Sequence, residues 1–228
     1  SKPAKVVYSF LEKTKSKFDK RTTVSQKTLE DVIPKLTSFV MHLRKLQIAH
    51  KFVYTNIYAM DETVCWLDMP SDMTIDFCGT KSVPLKTTGH EKDHFTVTLT
   101  AWADGTKCKP YIVFKSTGTR LIKELEKIAV VIVQLSVIGW MNDKLTIDYL
   151  HSIIGHLSFH ERLLVWDVYR CHTSDSTRAE LKKMRLHTAI IPGGCTKFIQ
   201  APGVVWNSPF KSHIRGLYNA WLFDTSQH

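Results

Sequence analysis

Residues 163–172 read LLVWDVYRCH: Leu163, Leu164, Val165 and Trp166 suit a strand buried on both faces, and they run straight into an acid, Asp167. A strand with no polar face needs cover on both sides, which directs the chain towards layered α/β architectures in which helices flank a sheet. Alone, Asp167 reads as a turn or cap acid. A functional role requires partner groups elsewhere in the chain.

The rest of the pattern fits the layered architecture. Residues 28–46 place Leu29, Val32, Leu36, Phe39, Val40 and Leu43 at helical spacing, with Thr28 and Asp31 as a candidate capping box and Pro34 as a start or a kink. FVYTNIYAMDE, 52–62, predicts a strand ending in Asp61 and Glu62. Residues 94–115 alternate around Asp104-Gly105 and predict a hairpin. The turn-rich segment 65–93 predicts a long loop or small ribbon. Helices are predicted after Asn142, over 174–184 and over 207–223, and a buried strand over 187–192. In the last helix Phe210, Ile214, Leu217, Tyr218 and Trp221 share one face. The prediction is an α/β fold with a mixed central sheet.

The longest apolar stretch, 128–141, is interrupted by Gln134 and Ser136 and falls short of the ~18–20 residues that span a bilayer, so no membrane partner is expected. Cys65, Cys78, Cys108, Cys171 and Cys195 form no CxxC pair, which points to the cytosol or nucleus. The charge is uneven. Residues 1–60 hold 12 of the 31 Lys/Arg and 4 of the 21 Asp/Glu, a net of +8 against +2 for the remainder. Lys13, Lys15, Lys17, Lys20 and Arg21 are the candidate contacts for a phosphate backbone, and weak, non-specific DNA binding is the partner they imply. A solvated helical face or linker fits the same charges equally well.

Asp61 and Asp167 would emerge side by side if their strands are parallel neighbours. Two carboxylates brought together repel unless a divalent cation neutralises them, and phosphoryl-transfer enzymes use such pairs with a further acid to hold two Mg²⁺ ions. At this point the sequence resembles the pogo-type transposase domains of the DDE superfamily. AMDET at 59–63 is similar to the first box, LLVWDVYRCH to the second, and PGGCTKFIQAPGVVWNSPFK at 192–211 to the third, through Thr196, Gln200, Asn207, Pro209, Phe210 and Lys211. The resemblance implies an RNase H-like mixed sheet flanked by helices. It implies catalytic and Mg²⁺-binding roles for Asp61 and Asp167, and a position for His172 in which it orients the site or serves as a structural histidine.

The third box departs from the family pattern. Its acid would stand at Gly203, with 35 residues between it and Asp167, and glycine carries no carboxylate. Glu62 should point to the opposite face from Asp61, and Asp224 lies about 30 Å along a helix from Gly203, so neither replaces it. The resemblance therefore implies an ancestral Mg²⁺ site now weak or lost. It describes a domesticated, nuclear module that binds DNA, a protein partner or a second copy without cutting DNA; the alternative is an active metal-dependent transposase or endonuclease. The expected organisation is a basic helical extension over 1–51, the DDE-type domain over 52–223 and a tail over 224–228. The family also carries an upstream helix-turn-helix, so a longer parent chain is expected. His90, His94 and Cys78 as zinc ligands lack a supporting CxxC, and Cys171-His172 are too close in sequence to face each other as nucleophile and base.

Overall fold

The computed structural model describes residues 29–67, 93–116, 129–156, 158–200 and 205–225. Helix α1, Leu29–His50, is followed by strand β1, Ile57–Trp66, then β2, His94–Trp102, β3, Tyr111–Lys115, and β4, Ile132–Ser136. Next come helix α2, Asp143–Tyr149, strand β5, Arg162–Asp167, helix α3, Asp175–Lys183, strand β6, Leu186–Ile191, the short helix α4, Thr196–Ile199, and helix α5, Asn207–Thr225. The strands form one sheet in the order β4-β3-β2-β1-β5-β6. β1, β2 and β3 pair antiparallel, whereas β1-β5, β5-β6 and β3-β4 pair parallel. This is the mixed, RNase H-like sheet flanked by helices.

Parity along the strands separates the two cores. Leu163, Ala189 and Ile191 face α1, where Val32, Phe39 and Phe52 bury against them and Leu36, Leu43 and Leu46 pack alongside. Leu164 and Trp166 face the other way, into a core built with Tyr58, Met60, Tyr149, Leu150 and Leu181. The helical part of the N-terminal extension thus lies on the sheet, and it runs through Pro34 to His50 instead of starting at the proline.

Several local expectations change in the folded chain. β1 covers 57–66 rather than 52–62: Tyr54–Asn56 forms a 3₁₀ turn, and β2 pairs with β1 from Tyr58↔Trp102 to Trp66↔His94, drawing the chain past both acids. Cys65 and Trp66 consequently belong to the strand and not to the loop. The hairpin turn forms at Asp104-Gly105, where the Asp104 carboxylate accepts from Thr106 N at 2.8 Å and Gly105 takes φ +96°. Strand β4 had no separate sequence signal, and it docks as the parallel neighbour of β3. Gln134 on β4 and Tyr111 on β3 both donate to Asp148 Oδ2, at 3.0 and 2.8 Å, tying this sheet edge to α2. Trp166 is fully buried and Trp102 packs against the same core, whereas Trp66 and Trp221 are about half exposed.

Helix ends follow local chemistry. The Asn142 side chain caps α2 by accepting from Leu145 N at 3.0 Å, and Ser174 caps α3 by accepting from Thr177 N at 3.3 Å. α2 passes into a π-helical turn, Leu150–Ile154, that stops at Gly155. Helix α5 extends through Asp224 to Thr225. No helix among the described residues is long and apolar enough to cross a membrane.

Candidate active site

Ile57, Tyr58 and Ala59 pair with Leu163, Leu164 and Val165, so the same register carried two residues further sets Asp61 level with Asp167. Both continue the parity of Ile57, Leu163 and Val165, the face that packs towards α1. Asp167 is the last residue of β5. Asp61, in contrast to the strand-tip position expected for it, lies mid-strand in β1, because β2 supports the chain to Trp66 after β5 has ended.

Two amides grip Asp61. Gln200 Nε2 donates to Oδ1 at 2.7 Å and also to the Met60 carbonyl at 2.9 Å, while Asn207 Nδ2 donates to Oδ2 at 2.6 Å. Burial pushes the Asp61 carboxyl up to about 6; the Asn207 hydrogen bond opposes the shift and the Asp167 charge adds to it. Gln200 closes α4 and Asn207 opens α5, so two residues from within the third box both reach Asp61. Gly203 itself lies outside the described residues.

His172 joins the site from the loop after β5. Its Nδ1 lies 3.1 Å from Asp167 Oδ1, and its Nε2 lies 3.1 Å from Glu62 Oε1. Burial pulls this imidazole down, but the hydrogen bonds from Asp167 and Glu62 outweigh it and push the group up to about 9. The imidazolium so favoured stacks on Trp166, with ring centroids 4.2 Å apart and 7° between planes, a geometry that adds cation–π attraction. Glu62, as its parity requires, serves the opposite face from Asp61. Its role as His172's second acceptor escaped sequence reasoning, since 110 residues separate the pair.

Cys171 brings its sulfur within 4.8 Å of donor atoms of Glu62 and His172. Burial pushes the thiol up to about 11, with Thr146 opposing and Glu62 adding, which makes it a poor nucleophile at neutral pH. Lys13, Lys15, Lys17, Lys20 and Arg21 lie outside the described residues, as do Cys78 and His90. His94 is buried in β2 between Trp66 and Trp140. The Gln200 and Asn207 contacts were also missed as site contacts, although both residues stand in the third box.

As a donor set, two carboxylates on one face at one register level are hard oxygen ligands of the kind Mg²⁺ prefers. Each Asp61 oxygen accepts one amide hydrogen and keeps a further lone pair. The residues present therefore fit a divalent cation, with fewer protein ligands than a three-acid site. A family model described as DDE superfamily endonuclease matches residues 92–228. The chain belongs to the DDE superfamily endonuclease family. This DDE domain is 30% identical over 206 residues to the mouse (Mus musculus) protein named "Pogo transposable element with KRAB domain", covering 89% of this chain and 33% of that protein. The Homo sapiens protein of the same name is 31% identical, with the same coverage. The DDE domain thus spans about a third of the length of the curated relatives it matches. Among solved structures, it is similar to the mariner Mos1 paired end complex with Mg, at 11% identity and TM-score 0.47, covering 96% of this chain and 62% of that one. The Mos1 Strand Transfer Complex matches at 10% identity and TM-score 0.45, over 81% and 49%.

Proposed function

We propose that this transposase-derived DDE domain no longer cleaves DNA and acts in the nucleus as a DNA-binding or protein-interaction module. The observation that carries the proposal is Gly203, which stands where the third box calls for an acid. Asp61 and Asp167 are the remaining carboxylates for Mg²⁺, and His172 holds Asp167 from behind. A bound Mg²⁺ supplies positive charge for the attacking and leaving oxygens of a phosphodiester. With one ligand missing, the cation is held weakly.

DNA affinity in this reading is weak, sequence-independent and carried by Lys13, Lys15, Lys17, Lys20 and Arg21. The runner-up, an active metal-dependent transposase or endonuclease, draws support from the shared level of Asp61 and Asp167. A nicking assay on supercoiled DNA with Mg²⁺ or Mn²⁺ separates the two. The proposal expects no cleavage above background, and Gly203→Asp should tighten Mn²⁺ binding measured by calorimetry. Metal-dependent cleavage by the unaltered protein, abolished in Asp167→Ala, would establish the enzyme reading instead. Replacing the five basic residues with Gln should flatten the dependence of log affinity on log salt; an unchanged slope moves the DNA-binding surface elsewhere.

A further inference from the structure

The sheet carries a second group of ligating side chains at the end opposite the acids. His50, Glu161 and His187 each offer one donor atom, and the three atoms lie within 4.8 Å of one another. His187 Nε2 is 2.6 Å from Glu161 Oε2, and His50 Nδ1 is 3.5 Å from the same oxygen. The two imidazole centroids are only 3.9 Å apart. We propose that His50, Glu161 and His187 form a binding site for a divalent transition ion of the zinc type.

Three elements converge to build it. His50 ends α1, and Lys51, at φ +52°, turns the chain back in the left-handed region. The Gln47 side chain then donates to the Phe52 carbonyl at 2.9 Å, fixing the turn. Phe52 is buried beneath the site, stacked on His50 at 5.4 Å and edge-on to His187 at 5.6 Å, so the rings rest on an apolar floor. His187 is the second residue of β6 and pairs with Leu163, on the face that meets α1. Glu161 immediately precedes β5, and its Oε2 meets a nitrogen of each ring.

The chemistry selects the ion. Two imidazole nitrogens and one carboxylate oxygen form a mixed, borderline donor set that suits zinc and its neighbours and leaves a fourth position to water. Metal–ligand bonds of about 2.0–2.2 Å at tetrahedral angles put donor atoms about 3.3–3.5 Å apart. The 3.5 Å contact already matches, and the 2.6 Å contact between His187 and Glu161 has to open by under an ångström to admit the ion. Partial exposure of all three side chains gives the ion a way in. The site is independent of Asp61 and Asp167: β5 rises about 20 Å between Glu161 and Asp167. Bound metal would clip α1 to the start of the parallel strands, a structural role.

Zinc titrated into the full 228-residue protein, followed by calorimetry, should bind one ion and raise the unfolding temperature. Cobalt(II) in its place should give the visible absorption of a four- or five-coordinate nitrogen and oxygen site. His187→Gln, Glu161→Gln and His50→Gln, each checked for an unchanged circular dichroism spectrum, should weaken zinc at least tenfold. The Asp61→Asn/Asp167→Asn double variant should retain it, which keeps this site distinct from the carboxylate pair. The proposal is overturned if no ion binds, or if binding survives all three Gln variants and is lost in the double Asn variant. Should one Gln variant misfold, the other two and the cobalt spectrum of the unaltered protein still decide the matter.

Discussion

His172 shows how much one side chain can hold together. Its two nitrogens join acids from opposite faces of the sheet, Asp167 and Glu62, and its ring covers Trp166. An imidazole pushed up to about 9 in the folded chain binds its proton more tightly than it does in the unfolded one. The stability it contributes is therefore fully present below its ordinary value near 6.5 and is lost as pH rises through about 9. In chelator-treated buffer, the unfolding temperature of the unaltered protein should fall between pH 7 and pH 10. His172→Asn should lower it at pH 7 and remove most of that dependence. An equal pH dependence in the variant would show that another group is responsible. Asp61 acts in the same direction but over a lower pH window. Pushed up to about 6, its carboxyl favours folding below its ordinary value near 3.8, and this contribution is lost as pH rises through about 6.

Among the elements, the joint between α2, α3 and β5 depends on Arg162. This buried guanidinium opens β5 and donates to the carbonyls of Ile154 at 3.0 Å, Gly155 at 3.3 Å, His156 at 2.6 Å and Met184 at 2.8 Å. Those carbonyls belong to helix ends and the turns beyond them, where backbone acceptors have no partner within the helix and the dipole attracts a cation. Arg162→Leu should cost about 3 kcal/mol or more, since each buried acceptor left without a donor costs roughly 1–3 kcal/mol. Urea unfolding measures it; a loss under about 1 kcal/mol would mean that water takes over the four carbonyls. Gly139 marks a second tight joint. At φ +74°, a Cβ there would stand 2.9 Å from Lys115 Cβ and 3.0 Å from His94 Nε2, so only glycine fits where this segment packs against the ends of β2 and β3.

For the whole molecule, the decisive contact is α1 upon β5 and β6. Val32, Phe39 and Phe52 cover Leu163, Ala189 and Ile191, and burial of large apolar side chains contributes roughly 1.5–3 kcal/mol each. Deleting residues 1–50 should abolish cooperative thermal unfolding and expose apolar surface to a hydrophobic dye. A truncated protein that still unfolded cooperatively would show that α1 is dispensable to the sheet. The basic charge and the folding contribution of the N-terminal quarter are thus separate properties. Charge-neutralising substitutions test the first, and truncation tests the second.

The sequence by itself determined the layers, because strand and helix periodicities are local. Leu163–Trp166, the alternation around Asp104-Gly105 and the helical spacing from Val32 to Leu43 are each readable within a dozen residues. Three ordered boxes then marked Asp61, Asp167 and His172 and exposed Gly203 as the place without an acid. Other features depended on partners remote in the chain. β1 runs past Asp61 because β2 begins 28 residues after Trp66 and pairs with it to the end. Glu62 meets His172 across 110 residues, and Gln200 and Asn207 reach Asp61 across 139 and 146. His50, Glu161 and His187 share no local pattern at all, and only the docking of α1 on the start of β5 and β6 makes them neighbours. Periodicity records which face a residue occupies, but which side chains meet on that face is settled by strand order and register, which arise only when the whole sheet closes.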